Sequence, residues 1–266
     1  MTHEIDYKII GNEMQAVEIE LDPTESVIAE SGAMMSMKND IEMSTIFGDG
    51  SKDDEKKGFF GKMVGAGKRL LTGESLFMTI FTHKGAGKSH VTFAAPYPGK
   101  IIPIDLTKYN EKIICQKDAF LCAAKGVSVG IELQKKLGTG FFGGEGFIMQ
   151  KLEGTGKAFL HAGGSIIEHK LAAGEILKVD TGCLVAMTKD VNYEIEFVGG
   201  IKNTVFGGEG LFFVKLSGPG TVFLQTLPFS RLAARIYEHA PQGGSSQKGE
   251  GSVLGGIGDL IDGDNF

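Results

Sequence analysis

The chain has no tryptophan, and only three cysteines and seven prolines among its 266 residues. Cys115, Cys122 and Cys183 are odd in number and show no CxxC spacing. That argues against a disulfide framework and a zinc site, and it predicts inert thiols buried in the apolar runs around them. Few prolines beside 40 glycines mark the glycines as turn positions, not as signs of disorder, and lean the chain toward β structure. No apolar run reaches the roughly 18 residues of a spanning helix. Positive charge is also short: 27 Lys and Arg against 33 Asp and Glu leave a net charge of −6. A phosphate-neutralising surface needs the opposite balance, so nucleic acid is not an expected partner. Met1-Thr2-His3-Glu4-Ile5-Asp6-Tyr7 has neither the apolar stretch of a signal peptide nor the Arg-rich composition of a transit peptide. The expectation is a cytoplasmic protein.

Catalytic patterns are missing as well. Gly85-Ala86-Gly87-Lys88-Ser89 invites comparison with a phosphate loop, but the required first glycine is replaced by Thr82. Gly65-Ala66-Gly67-Lys68-Arg69 fails in the same way, with Arg where Ser or Thr is needed. His83, His90, His161, His169 and His239 form no HxH or HExxH pattern, so they read as surface or satisfied core histidines. No nucleophile–base pair or paired acid–base spacing stands out. A non-enzyme without cofactor or metal is expected.

What is present is repetition. Phe141-Phe142-Gly143-Gly144-Glu145-Gly146-Phe147-Ile148-Met149 returns as Val205-Phe206-Gly207-Gly208-Glu209-Gly210-Leu211-Phe212-Phe213. A looser copy runs from Leu71-Thr72-Gly73-Glu74 to Phe77-Met78. After each come a strand, a Gly-x-Gly turn (85–87, 154–156, 218–220) and a return strand. Val127, Val129, Ile131 and Leu133 alternate with other residues, and Val191, Tyr193, Ile195 and Phe197 answer them 64 residues later. Units are therefore expected at 72–140 and 141–203. A third, 204–240, stops short after its hairpin. Its missing half lies at the other end of the chain, where Leu21-Asp22-Pro23 to Ala29 and the alternating Met35, Met37, Ile41 and Met43 resemble residues 117–131. Residues 5–45 are thus expected to complete the third unit. The reading is a mainly β body, 1–240, of three pseudo-symmetric units closed by the N-terminal strands.

Two segments lie outside the repeat. Residues 46–71 read as an insertion in which Phe59, Phe60, Met63, Val64, Lys68 and Arg69 make a short basic amphipathic stretch. Phe229, Leu232, Ala233, Ile236, Tyr237 and Ala240 form a helical stripe, with Ser230 as its expected N-cap. Residues 241–266 are rich in Gly and Ser and read as a flexible tail.

The Gly-Glu strand starts at Gly73-Glu74, Gly144-Glu145 and Gly208-Glu209, with the paired Gly-x-Gly turns, resemble the altered-inheritance-of-mitochondria 24 (mitochondrial biogenesis) family over residues 5–239. The resemblance implies a β-rich fold related to the tryptophan RNA-binding attenuator protein, of β-sandwich or double-stranded β-helix type, and homo-oligomers. It assigns no catalytic residue. Yeast members are associated with inner-membrane organisation, a role that the missing transit signal does not let us carry over.

Glu74, Glu145 and Glu209 would be placed equivalently by such symmetry. A cation ring is one reading; carboxylates accepting turn N–H bonds is the favoured one. The 59–71 stretch reads as packing on its own chain, then as an oligomer contact, with a membrane surface less favoured. The expected function is a non-enzymatic scaffold or protein-interaction module, with partners held through the tail or the insertion. The alternative is a small-molecule binder, by fold analogy alone.

Overall fold

The structure, a computed structural model, describes residues 2–47, 77–132, 147–197 and 212–240. Contacts divide the chain into two units, Met1–Phe229 and Ser230–Phe266. The first unit holds nineteen strands among the described residues, and every ladder between them is antiparallel.

The N-terminal strands are β1 (Asp6–Ile10), β2 (Ala16–Leu21), β3 (Ser26–Ala29), β4 (Met34–Met37) and β5 (Ile41–Phe47). Then come β6 (Phe77–His83), β7 (Ser89–Ala94), β8 (Gly99–Asp105), β9 (Lys112–Gln116), β10 (Phe120–Ala124) and β11 (Ser128–Glu132). The third group is β12 (Met149–Glu153), β13 (Lys157–Gly163), β14 (Ile166–Leu171), β15 (Ile176–Asp180), β16 (Leu184–Thr188) and β17 (Asn192–Phe197). Last are β18 (Phe212–Ser217) and β19 (Gly220–Gln225).

Side-chain period decides which strands lie where. In β2, Val17, Ile19 and Leu21 are fully buried while Glu18 and Glu20 alternate with them, the pattern of a sheet with one wet face. In β3 and β10 all residues are buried, because both faces of their sheet are covered. Sheet I runs β1-β2-β7-β4, sheet II β5-β6-β3-β10-β13-β8, sheet III β11-β12-β9-β16-β19-β14 and sheet IV β15-β18-β17. One core of Ile28, Ile104, Ile113, Leu152, Leu160 and their neighbours joins sheets II and III. A second joins sheets I and II through Val17, Phe81, Phe93 and Phe159. A third joins sheets III and IV through Ile114, Met187, Val214 and Leu216.

The orders are related. Moving each strand of sheet II six places along the chain produces sheet III, strand for strand. A further step of six produces β17-β18-β15, which is sheet IV, and then, with the count resuming at β2 as the twentieth strand and β1 left outside the repeat, β4-β7-β2 of sheet I. Registers agree too. The same irregularity falls between Phe120 and Cys122 in β10, Leu184 and Ala186 in β16, and Met34 and Ser36 in β4. One junction differs. β3 pairs with β10 and β9 pairs with β16, yet among the described residues β15 pairs only with β18 and β4 only with β7.

The second unit, by itself, contains most of helix α1 (Phe229–His239). The helix begins at Phe229, one residue before the expected cap Ser230, which lies instead in its first turn. Its position directly after Pro228 explains the earlier start, since proline's fixed φ suits the approach to a helix. None of its residues is buried, and Ile236 and Tyr237 of the expected stripe are exposed.

Candidate functional site

Glu74, Glu145 and Glu209, and Phe59, Phe60, Met63, Val64, Lys68 and Arg69, lie outside the described residues, as does the tail from 241. The candidate sites among the described residues are therefore different ones.

The densest polar group surrounds Asp40, in the turn between β4 and β5. Ser89 Oγ donates to Asp40 Oδ1 at 2.5 Å, and His83 Nε2 lies 3.2 Å from Oδ2. The Ser89 hydroxyl is the main cause of a lowered Asp40 pKa, with backbone N–H and His83 adding to it. Ser, Asp and His together suggest a nucleophile, but their order is wrong for one. The carboxylate stands between the hydroxyl and the ring, so His83 does not take the serine proton. His83 is fully buried and its Nδ1 has no hydrogen-bond partner. The cluster pins the 84–88 turn to the 38–40 turn, helped by the Lys84 N–H to Asp40 carbonyl bond at 2.9 Å.

His161, on β13, is the other buried histidine. Its Nε2 meets the Tyr97 carbonyl at 3.1 Å and its ring stands edge-on to Tyr97, centroids 4.3 Å apart. Burial lowers its pKa to about 4, against a smaller opposing effect of the Tyr97 bond. Gly99 approaches so closely that an added Cβ would lie 2.7 Å from His161 Nε2. Sequence reading missed His3: its Nδ1 accepts the Ser26 N–H at 2.8 Å, tying the N-terminal segment to β3. No spacing rule signals a contact between residues so far from any motif.

A pocket of about 200 Å³ is lined by Tyr7, Pro103, Ile104, Asp105, Lys108, Tyr109 and Lys157. Its charged groups are already engaged. Lys157 Nζ donates to the Ile5 carbonyl at 2.6 Å and lies 5.9 Å from the centre of the Tyr7 ring. Asp105 accepts from the Thr107 hydroxyl at 2.6 Å and the Thr107 N–H at 3.1 Å, capping a short 3-10 turn. Small-molecule sites typically enclose about 300 Å³ or more, so this one admits only a small ligand.

Among the described residues no three His, Cys, Asp or Glu side chains are grouped to hold a metal. Cys115 and Cys122 are buried, and burial raises the Cys122 thiol well above its ordinary pKa. Cys183 departs from expectation: it is only half-buried, because it sits in the 3-10 turn before β16, outside the doubly covered strands.

Apolar side chains are exposed on the strands themselves. Met35 on β4 is 63% exposed, and Met37 on β4, Met43 on β5 and Ile176 on β15 are exposed too.

These features define a mainly β protein of several antiparallel sheets. The chain belongs to the mitochondrial biogenesis AIM24 family, whose model matches residues 7–227. It is similar to an uncharacterized protein of Streptococcus pyogenes serotype M6, 28% identical over 228 residues, covering 85% of this chain and 86% of that one. Its fold is similar to that of a Streptococcus pyogenes protein solved by X-ray crystallography, with a TM-score of 0.68 and 23% identity, covering 89% of this chain and 100% of that one. No helix among the described residues is long and apolar enough to cross a membrane.

Proposed function

We propose that this protein is a non-enzymatic scaffold, a homo-oligomer built from three copies of one β unit that offers its surface to protein partners in the cytoplasm. The observation that carries the reading is the apolar exposure of Met35, Met37 and Ile176 on strands at sheet edges. Apolar side chains beside unpaired strand edges invite another chain. The polar clusters support it from the other side: Ser89 and His83 both bond Asp40, and Lys157 and Asp105 bond the backbone. Sedimentation of the full chain across a concentration series tests the reading. Self-association is expected, and a monomer at the highest soluble concentration would remove the homo-oligomer from it. The tail and the 59–71 insertion are proposed handles for a protein partner, and a membrane surface is not favoured.

A second reading, a metabolite binder, is favoured by the pocket between Tyr7 and Tyr109. A thermal-shift screen separates the two. A small aromatic or anionic ligand that raises the melting temperature, and loses its effect in Lys108→Ala, would favour the binder.

A further inference from the structure

The missing junction between β15 and β4 has two internal templates, and they specify its partner. The register correspondence places Met35 where Leu121 and Val185 stand in β10 and β16, and Met37 where Ala123 and Met187 stand. Leu121 and Val185 are 3% and 1% exposed, against 63% for Met35; Ala123 and Met187 are fully buried, against 40% for Met37. Across the junction, Lys178 takes the place of Ile28 and Ile114, which pair with Ala123 and Met187. These positions are covered wherever the neighbouring strand is paired, so the exposure of β4 marks a strand that the described residues of its own chain leave unmatched.

Backbone directions agree. The Lys38 N–H bonds to the His90 carbonyl in β7. Successive residues of a strand turn their N–H and C=O groups to opposite sides, so Met37 directs both away from β7. The Gly218 N–H bonds to the Glu175 carbonyl, so Lys178, three residues on, directs its groups away from β18. Met37 and Lys178 therefore present matching edges that no described strand pairs with. The Lys178 side chain is held aside by Glu196, at 2.6 Å.

We infer that β4 of one copy pairs antiparallel with β15 of a second copy, and β15 of the first with β4 of the second, repeating the β3–β10 and β9–β16 junctions between chains. A two-fold dimer of this kind satisfies the β4 and β15 edges of both copies at once, so this contact closes on itself and does not propagate. The occupant is a second copy because β15 is the strand that the internal order assigns to β4. The exposed methionines of β4, Met35 and Met37, supply adaptable apolar side chains for such a contact. The inference rests on the homo-oligomer reading above and gives it a location.

Sedimentation equilibrium and cross-linking test it on the full chain. The unaltered protein should be a dimer. Met37→Pro and Lys178→Pro, each removing one seam-facing N–H, should shift it to monomer, while Lys178→Ala, which loses only the ion pair to Glu196, should leave it dimeric. Because a proline variant can fail to fold, cysteine pairing provides an independent measurement. Met37→Cys protein mixed with Lys178→Cys protein and oxidised should form a disulfide between chains at the two substituted positions, located by peptide mapping. Directly opposed strand residues approach within about 5.5 Å between Cα atoms, inside disulfide range. A strictly monomeric unaltered protein overturns both this inference and the homo-oligomer reading. An oligomer that survives both prolines and gives no such cross-link overturns the seam alone. Linkage only within single chains carrying both cysteine substitutions shows that the body closes its own seam, and overturns the second copy.

Discussion

His161 gives its Nε2 proton to the carbonyl of Tyr97, 3.1 Å away, and keeps Nδ1 in a buried space with no partner. The ring is therefore neutral, and protonating it would place a cation in a buried space where Nδ1 has no acceptor among the described residues. The pKa of about 4 lies below the ordinary value of about 6.5. Between those values the unfolded chain binds a proton that the folded chain refuses. Stability is highest above pH 6.5 and falls as pH drops toward 4. The loss should not exceed about 2 kcal/mol, since solvent screens part of the effect. His161→Gln keeps a donor for Tyr97 but does not titrate. Denaturant melts of both proteins at several pH values should show a steeper acid decline for the unaltered chain, and parallel curves would refute the assignment.

Gly99 faces the same ring from β8. An alanine there would bring Cβ to 2.7 Å of His161 Nε2 and closer still to the Ala162 carbonyl. Backbone cannot yield as a flexible side chain does, so Gly99→Ala should cost about 3 kcal/mol. Gly87 meets no heavy atom within 4 Å but has a φ of +81°. Alanine there should cost less, about 1 kcal/mol, from backbone strain alone. Chemical melts of the two variants side by side would reveal whether crowding or conformation is the larger demand.

Thiol chemistry should follow burial. Cys115 and Cys122 are fully enclosed, whereas Cys183 is half-buried. A thiol-titrating disulfide reagent should modify Cys183 first in the native protein, with the other two reacting only on unfolding. Fast modification of all three would mean that the sheet II and III cores open readily.

The N-terminal strands occupy interior places. β3 lies between β6 and β10, and Ile28 is fully buried between Ile80 and Ala123. Ile28→Ala should cost about 2–5 kcal/mol, and deleting residues 5–45 should abolish the cooperative transition. A chain ending at Ala240 keeps every strand pairing described here, so its melting temperature should be unchanged. Calorimetry of the two truncations decides between a closing segment and a dispensable one.

The sequence by itself determined the strands, because a strand is written locally. Val17, Ile19 and Leu21 alternate with glutamates, Gly11 and Gly154 mark turns with φ of +87° and +133°, and the echoes of one unit survive in order. Family membership was legible for the same reason. Tertiary structure decided what the units do to one another. That β3 would sit between β6 and β10, that His3 would bond Ser26, and that Asp40 would collect Ser89 and His83 are contacts between residues far apart in the chain, and no spacing signals them. The open junction at Met37 and Lys178 was the least legible of all. Met35 and Met37 have the same alternation as any half-buried strand, and only the fold shows that the neighbour which covers their counterparts elsewhere is not paired with them here. Hydrophobic pattern says that a face wants covering; the geometry of the folded chain decides whether its own strands can cover it.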